Sequence, residues 1–441
     1  MTSRFRFRML SNVVLFTIFL ALAGCGDSFN SGPMTYVESE KLAVELKGKD
    51  DLQKSTRKAI SDLFGDDPTH IRVPRGSGLP GGGIYLANHQ EVAKGEVKQI
   101  KLVRPGTNGL EAAPQEGGYA LYRKHCLHCH GVSGAGDGPT STFLYPRPRD
   151  YRKGIFKFTS TTTGAKPSRS DLRKTIRHGL HGTSMPSFEA LMSDSETEQV
   201  IDYMLFLTYR GETELALIDE VAATGELTAE TAVEVSTSVF AKWKAAENQV
   251  VNPPIPRTPS TRESILRGRE LFLGKTSNKL ECTGCHGAKG IGDGPSFINQ
   301  NIFNDVVFGG DPSSQKERLE KIVEATAEEE AKRSGDPKTG EAAASKLREA
   351  WKNSLDDWGN PFRPANLNRG IYKGGRRPID LYWRIAKGIN GAKMPAHYPA
   401  IDHEKIWDLV NFVLALPYEP ALLDGAVLPG ALAPPPKVAN R

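Results

Sequence analysis

Two stretches of this chain each bring two thiols and an imidazole within five residues: Cys126-Leu127-His128-Cys129-His130 and Cys282-Thr283-Gly284-Cys285-His286. The pattern Cys-x-x-Cys-His reads as covalent attachment of a c-type haem. Two intervening residues let one helical turn present both sulfurs to the porphyrin's vinyl groups, and the adjacent histidine then lies beneath the metal. On this reading Cys126, Cys129, Cys282 and Cys285 are the thioether sites of two haems, and His130 and His286 are the proximal iron ligands. A zinc site and a thioredoxin-like redox pair use the same residue types. Zinc requires both pairs to converge on one ion, whereas each pair here sits in its own copy of a long repeat and is followed by its own histidine.

That repeat is extensive. Gly131, Gly134, Gly136, Asp137, Gly138 and Pro139 recur 156 positions later as Gly287, Gly290, Gly292, Asp293, Gly294 and Pro295. Arg147-Pro148 and Gly154 to Lys157 recur after 216 positions as Arg363-Pro364 and Gly370 to Lys373. Asp171, Leu172, Ile176, Gly179, Gly182, Met185 and Pro186 recur after 209 positions, ending in Met394 and Pro395. One module is present twice.

The iron's sixth ligand separates electron transfer from chemistry on a substrate. Met185 and Met394 hold matching places in the repeat, and Met394 is the only methionine after Met204. The competing histidines, His125, His128, His178, His181, His397 and His403, recur in neither copy, so His/Met ligation is expected at both irons. Pro139 and Pro295, nine positions after the proximal histidines, are candidates to accept the imidazole Nδ1 proton through their carbonyls. Arg147 and Arg363, with Lys157 and Lys373, are candidates to pair with haem propionates. The Gly-x-Gly-Asp-Gly runs follow a cysteine motif rather than a strand and lack a Lys-Ser/Thr ending, so they are not nucleotide loops.

The elements that must position these residues are helical. Each module opens with a short helical pattern, Gly118 to Tyr122 and Gly268 to Phe272. Each closes with another, Glu196 to Tyr209 and His403 to Leu416, capped by Ser193 and Asp402. Residues 211–262 read as helix, loop and a proline-rich linker, and the charged run from Gln315 to Lys352 reads as a solvated helical hairpin inside an insertion of about 300–357. The expected organisation is a leader over 1–24, a tether and unassigned segment over 25–115, modules over 116–210 and 263–418, and a proline-rich tail over 419–441.

The leader carries Arg4, Arg6 and Arg8, an apolar stretch, and the ending Leu22-Ala23-Gly24-Cys25, which resembles a bacterial lipobox. Cleavage before Cys25 would leave an exported protein of the cell envelope with a lipid on that cysteine. The apolar stretch is short for a membrane span, which needs about 20 residues. Loss of three arginines and no acid takes the formal charge from +5 to +2, so the charge gives no reason to expect a nucleic acid partner. With 441 residues, 25% charged and 38% hydrophobic, the chain is neither a polytopic membrane protein nor wholly disordered.

Together, the Cys-x-x-Cys-His motifs and the downstream Met-Pro pairs make residues 116–210 and 263–418 resemble class I c-type cytochromes in a tandem dihaem lipoprotein form. The resemblance implies an all-α fold of two haem domains, in each of which an N-terminal and a C-terminal helix cross. It also implies a membrane-anchored carrier of single electrons between a donor and an acceptor protein, free or as a subunit of a respiratory complex, and not an enzyme. A dihaem peroxidase shares the two motifs but needs one iron open to peroxide.

Overall fold

The computed structural model describes residues 34–68, 71–80, 92–93, 96–97, 117–278 and 280–424. Cys25, the leader and residues 425–441 of the tail lie outside the described residues. Apart from one short antiparallel pair, β1 (Val92–Ala93) with β2 (Glu96–Val97), the regular structure is helical. The fold is all-α, and no described helix is long and apolar enough to cross a membrane.

In the first repeat, α3 (Gly118–His125) packs across α6 (Asp194–Thr224); α1 (Glu40–Glu45) and α2 (Asp50–Phe64) precede them in the chain. The crossing buries Tyr119, Leu121 and Tyr122 against Val200, Tyr203 and Leu207. Ser193 starts α6 with a full capping box: its side chain accepts from the Glu196 N–H, and the Glu196 carboxylate accepts from the Ser193 N–H. The expected closing helix ended at Tyr209, but α6 runs on to Thr224. Gly211 does not break it, because a Cβ there would lie 2.4 Å from Cβ of Arg152, and the missing side chain admits that neighbour. The extension is buried by α1 and α2, with Leu42 and Leu46 on Ile218 and Val221, and by α7 (Ala229–Ala246). The N-terminal segment with no repeat counterpart thus completes the first core, where Tyr36 and Phe64 meet Phe206.

The second repeat uses the same crossing. Here α8 (Arg262–Phe272) lies across α14 (His403–Ala415), which Asp402 caps by accepting from the Lys405 N–H at 2.9 Å. The backbones approach so closely that a Cβ on Gly268 would stand 2.2 Å from the Asp408 carbonyl oxygen. Gly268→Ala must push the helices apart, at an expected cost of about 1–3 kcal/mol. A urea midpoint equal to that of the parent would contradict this.

Between these helices, α9 (Cys282–His286) and α13 (Pro378–Lys387) correspond to α4 (Leu127–His130) and α5 (Arg169–His178) of the first repeat. The insertion folds as α10 (Gln300–Phe308), α11 (Gln315–Ser334) and α12 (Pro337–Asn353), the last two forming the hairpin of the charged run. It has a small core of Phe303, Val306, Leu319 and Val323, and Tyr145 of the first repeat packs onto it.

The two repeats are docked on each other. Lys387 donates from Nζ to Thr159 at 2.7 Å and accepts from Thr163 through its carbonyl at 2.8 Å, while Lys174 forms an ion pair with Asp380. The proline-rich segment is tied down, since Asn411 and Trp407 of α14 donate to the Thr258 and Ile255 carbonyls.

Candidate haem-binding site

One turn of helix assembles each cysteine motif. The His130 N–H donates to the Cys126 carbonyl at 2.9 Å, which brings Cys126, Cys129 and His130 to one wall, and α9 does the same for Cys282, Cys285 and His286. All four thiols are free, and burial pushes Cys126 up to about 12 and Cys282 to about 11. Thiols kept neutral by an apolar wall suit addition to a vinyl group and disfavour the thiolates that zinc requires. Among the described residues no three His, Cys, Asp or Glu side chains converge as a metal site of that kind.

Both imidazoles are held alike. His130 Nδ1 lies 3.1 Å from the Arg149 carbonyl and His286 Nδ1 lies 3.1 Å from the Ala365 carbonyl. Donation from Nδ1 leaves the Nε2 lone pair for a metal. Burial lowers the His130 pKa to about 4 and lowers that of His286 as well, so both rings are neutral at pH 7, as ligation requires. Pro139 and Pro295 are not the acceptors: both are exposed, and the carbonyls that meet the rings come from the segments after Pro148 and Pro364. The glycine-rich loops bring those segments in. A Cβ on Gly136 would lie 2.5 Å from the Pro148 oxygen, and one on Gly292 would lie 2.4 Å from the Pro364 oxygen; both glycines have positive φ.

Met185 and Met394 sit on matching turns, each accepting through its carbonyl at 3.1 Å, from the Leu180 and Ile389 N–H groups respectively. Both are half-buried against their own repeat's core. Of the competing histidines, His125, His128 and His397 also reach the cavity wall, whereas His178, His181 and His403 do not.

The two sites open into one cavity of about 1170 Å³, whose wall includes both cysteine pairs, both proximal histidines and both methionines. The remaining wall is largely apolar, with Ile176, Val200 and Met204 on one side and Leu381, Leu409 and Val413 on the other. Arg147, Arg363, Lys157 and Lys373 all line it. Arg363 donates to the Gly292 and Ile298 carbonyls, but its Nε is buried with no hydrogen-bond partner, and burial lowers its pKa. Burial likewise lowers the pKa of Lys373. Desolvated cations on an apolar wall fit the carboxylates of a porphyrin. The thiols, imidazoles and thioethers therefore form donor sets that fit covalently held haem.

Comparison with known proteins agrees with the chemistry of the first site. Residues 113–204 match the family described as cytochrome c oxidase, cbb3-type, subunit III. A search of curated proteins finds no match. Among solved structures, a chain of the reducing HAO-like protein complex of Kuenenia stuttgartiensis is similar at 24% identity and a TM-score of 0.43, over 68% of this chain and 94% of that one. The expectation that the chain is not an enzyme is corrected here: the similar structure belongs to a HAO-like complex, and the exclusion does not stand. The match over residues 113–204 supports a cytochrome c family, whose implied cofactor is haem c.

Proposed function

We propose that the chain holds two haems c, one on Cys126 and Cys129 and one on Cys282 and Cys285, and passes single electrons between redox proteins. What supports this most is that both cysteine pairs, His130, His286, Met185 and Met394 line one cavity. A bound haem supplies a reversible one-electron couple. The chain's own part would be to keep both imidazoles neutral and oriented through the Arg149 and Ala365 carbonyls, to supply the Met185 and Met394 thioethers from the same cavity wall, and to exclude water with the apolar remainder of that wall. Among the described residues both sites open into one cavity, so electrons can pass between them inside the molecule.

Export, cleavage before Cys25 and a lipid anchor on that cysteine are part of the same proposal, supported by the arginines, apolar stretch and lipobox-like ending of residues 1–25. An anchored carrier of this kind would meet its donor and acceptor at the membrane surface, alone or within a respiratory complex. The reading is tested by intact mass and the alkaline pyridine spectrum of protein matured with haem. Two covalent haems per chain are expected, and one or none defeats it.

Met185 and Met394 are the proposed sixth ligands. In Met394→Ala the far-red iron-to-thioether band of the ferric protein is expected to fall by half, with one iron becoming high-spin. A spectrum unchanged from the parent would assign that position to another side chain, His397 being the candidate already on the wall.

A further inference from the structure

The first site contains a residue that its own repeat lacks. Asp356 lies at the end of the insertion of the second repeat, a stretch without counterpart in the first, yet it reaches across the interface and lines the cavity. Its Oδ2 lies 2.8 Å from Lys157 Nζ and 3.7 Å from the Arg149 guanidinium. Its Oδ1 accepts from the Trp358 and Asn360 N–H groups at 3.0 and 2.9 Å, which fixes the carboxylate in its turn. The Trp358 indole donates to the Asp150 carbonyl at 3.2 Å, and the Arg149 guanidinium lies 3.6 Å from the indole ring centroid.

Arg149 is also the residue whose carbonyl holds His130 Nδ1. The second repeat has Ala365 at that place, with no side chain to clamp, and no ion pair to Lys373 corresponds to that of Lys157 among the described residues. The two sites thus share their ligand sets and differ in this charge cluster. Asp356 is almost fully enclosed, its side chain 4% exposed, so solvent does little to screen it.

We propose that Asp356 is a positioning and tuning residue of the first haem site, acting from the other repeat: it offsets Arg149 and Lys157 and holds the first site's reduction potential below the value it would have without that carboxylate. The inference rests on the haem reading above. Ferric haem gains one electron on reduction, so a nearby anion favours the ferric form and its removal favours the ferrous form. Asp356→Asn keeps the shape, removes the charge and leaves two enclosed cations unbalanced.

The experiment is potentiometric titration of the holoprotein, followed in the haem absorption bands. The first-site wave is identified by a Met394→His variant, which displaces the second-site wave. In Asp356→Asn the first-site wave is expected to rise by tenfold in its reduction equilibrium constant, about 59 mV for one electron, with a smaller change at the second. Adding Lys157→Gln in the same chain restores the charge balance and should return most of the shift. Asp357→Asn, at the exposed neighbouring carboxylate, should move neither wave. Equal shifts in both waves, no shift, or no recovery in the double variant would overturn the proposal. A parent chain without two haems would instead overturn the haem reading itself.

Discussion

A chain with Cys282 and Cys285 both replaced by serine is expected to emerge from haem maturation with one covalent haem, giving half the parent's alkaline pyridine absorbance per chain. Serine keeps the size of the side chain and can still hydrogen-bond, but a hydroxyl forms no thioether with a vinyl group. The first site does not depend on these thiols, because His130 is oriented by Arg149 and packed against Tyr151, all within the first repeat. The structural consequence falls on the second repeat. Leu381, Ile385, Leu409 and Val413 line the cavity, and without a porphyrin they face space in place of apolar contact. A lower thermal midpoint is expected to accompany the loss of absorbance, and the first-site Met185 band should persist. Full absorbance in the double serine variant would mean that this motif is not the attachment point. Loss of all absorbance would mean that the two sites do not mature independently.

The cysteine motifs, the Met-Pro pairs and the crossing helices were legible in the sequence because each demands a particular residue type at a particular spacing, and each appears twice. A thiol cannot be exchanged for another group in a thioether, and a helix face must repeat its apolar residues. The acceptors for His130 and His286 were not legible, because a backbone carbonyl belongs to every residue: Arg149 serves in one repeat and Ala365 in the other. The recurring Arg-Pro pair just before each was the available signal, and it pointed to the arginine side chain rather than to the next carbonyl. The closing helix read as ending at Tyr209, yet α6 runs on to Thr224, and close packing against Arg152 makes Gly211 useful inside it. The shared cavity was hidden for another reason. It depends on docking by residues such as Asp356, Trp358 and Lys387, which belong to the interface and follow no period.

Among the recurring residues, some serve architecture rather than the haem, and Asp380 is the clearest case. It stands at the third position of α13, where its carboxylate accepts from the Arg377 N–H at 3.1 Å and from the Arg377 guanidinium at 2.9 Å. It also takes the ammonium of Lys174 from the first repeat, although its side chain is only 1% exposed. Asp380→Ala removes the helix cap and leaves Lys174 at the interface without its counter-charge. The buried Arg384 guanidinium, whose pKa burial already lowers to about 10, loses its stabilising anion in the same step. Removing one partner of such a buried pair costs about 3–5 kcal/mol, the largest stability effect expected of any single substitution considered for this chain. Burial alone would raise the Asp380 carboxyl, but the hydrogen bonds from Arg377 and Lys174 outweigh it and hold the group below its ordinary value. A carboxyl whose pKa is depressed in the fold stabilises fully above its unfolded value of about 4, and that contribution fades as the pH falls through the folded value. The gap between the parent and Asp380→Ala should therefore be widest from pH 5 upward and close progressively in acid, as read from urea unfolding at a series of pH values. A gap below about 1 kcal/mol at pH 7, or one that does not narrow below pH 4, would show that Asp380 is a surface-like pair and that other contacts hold the two repeats together.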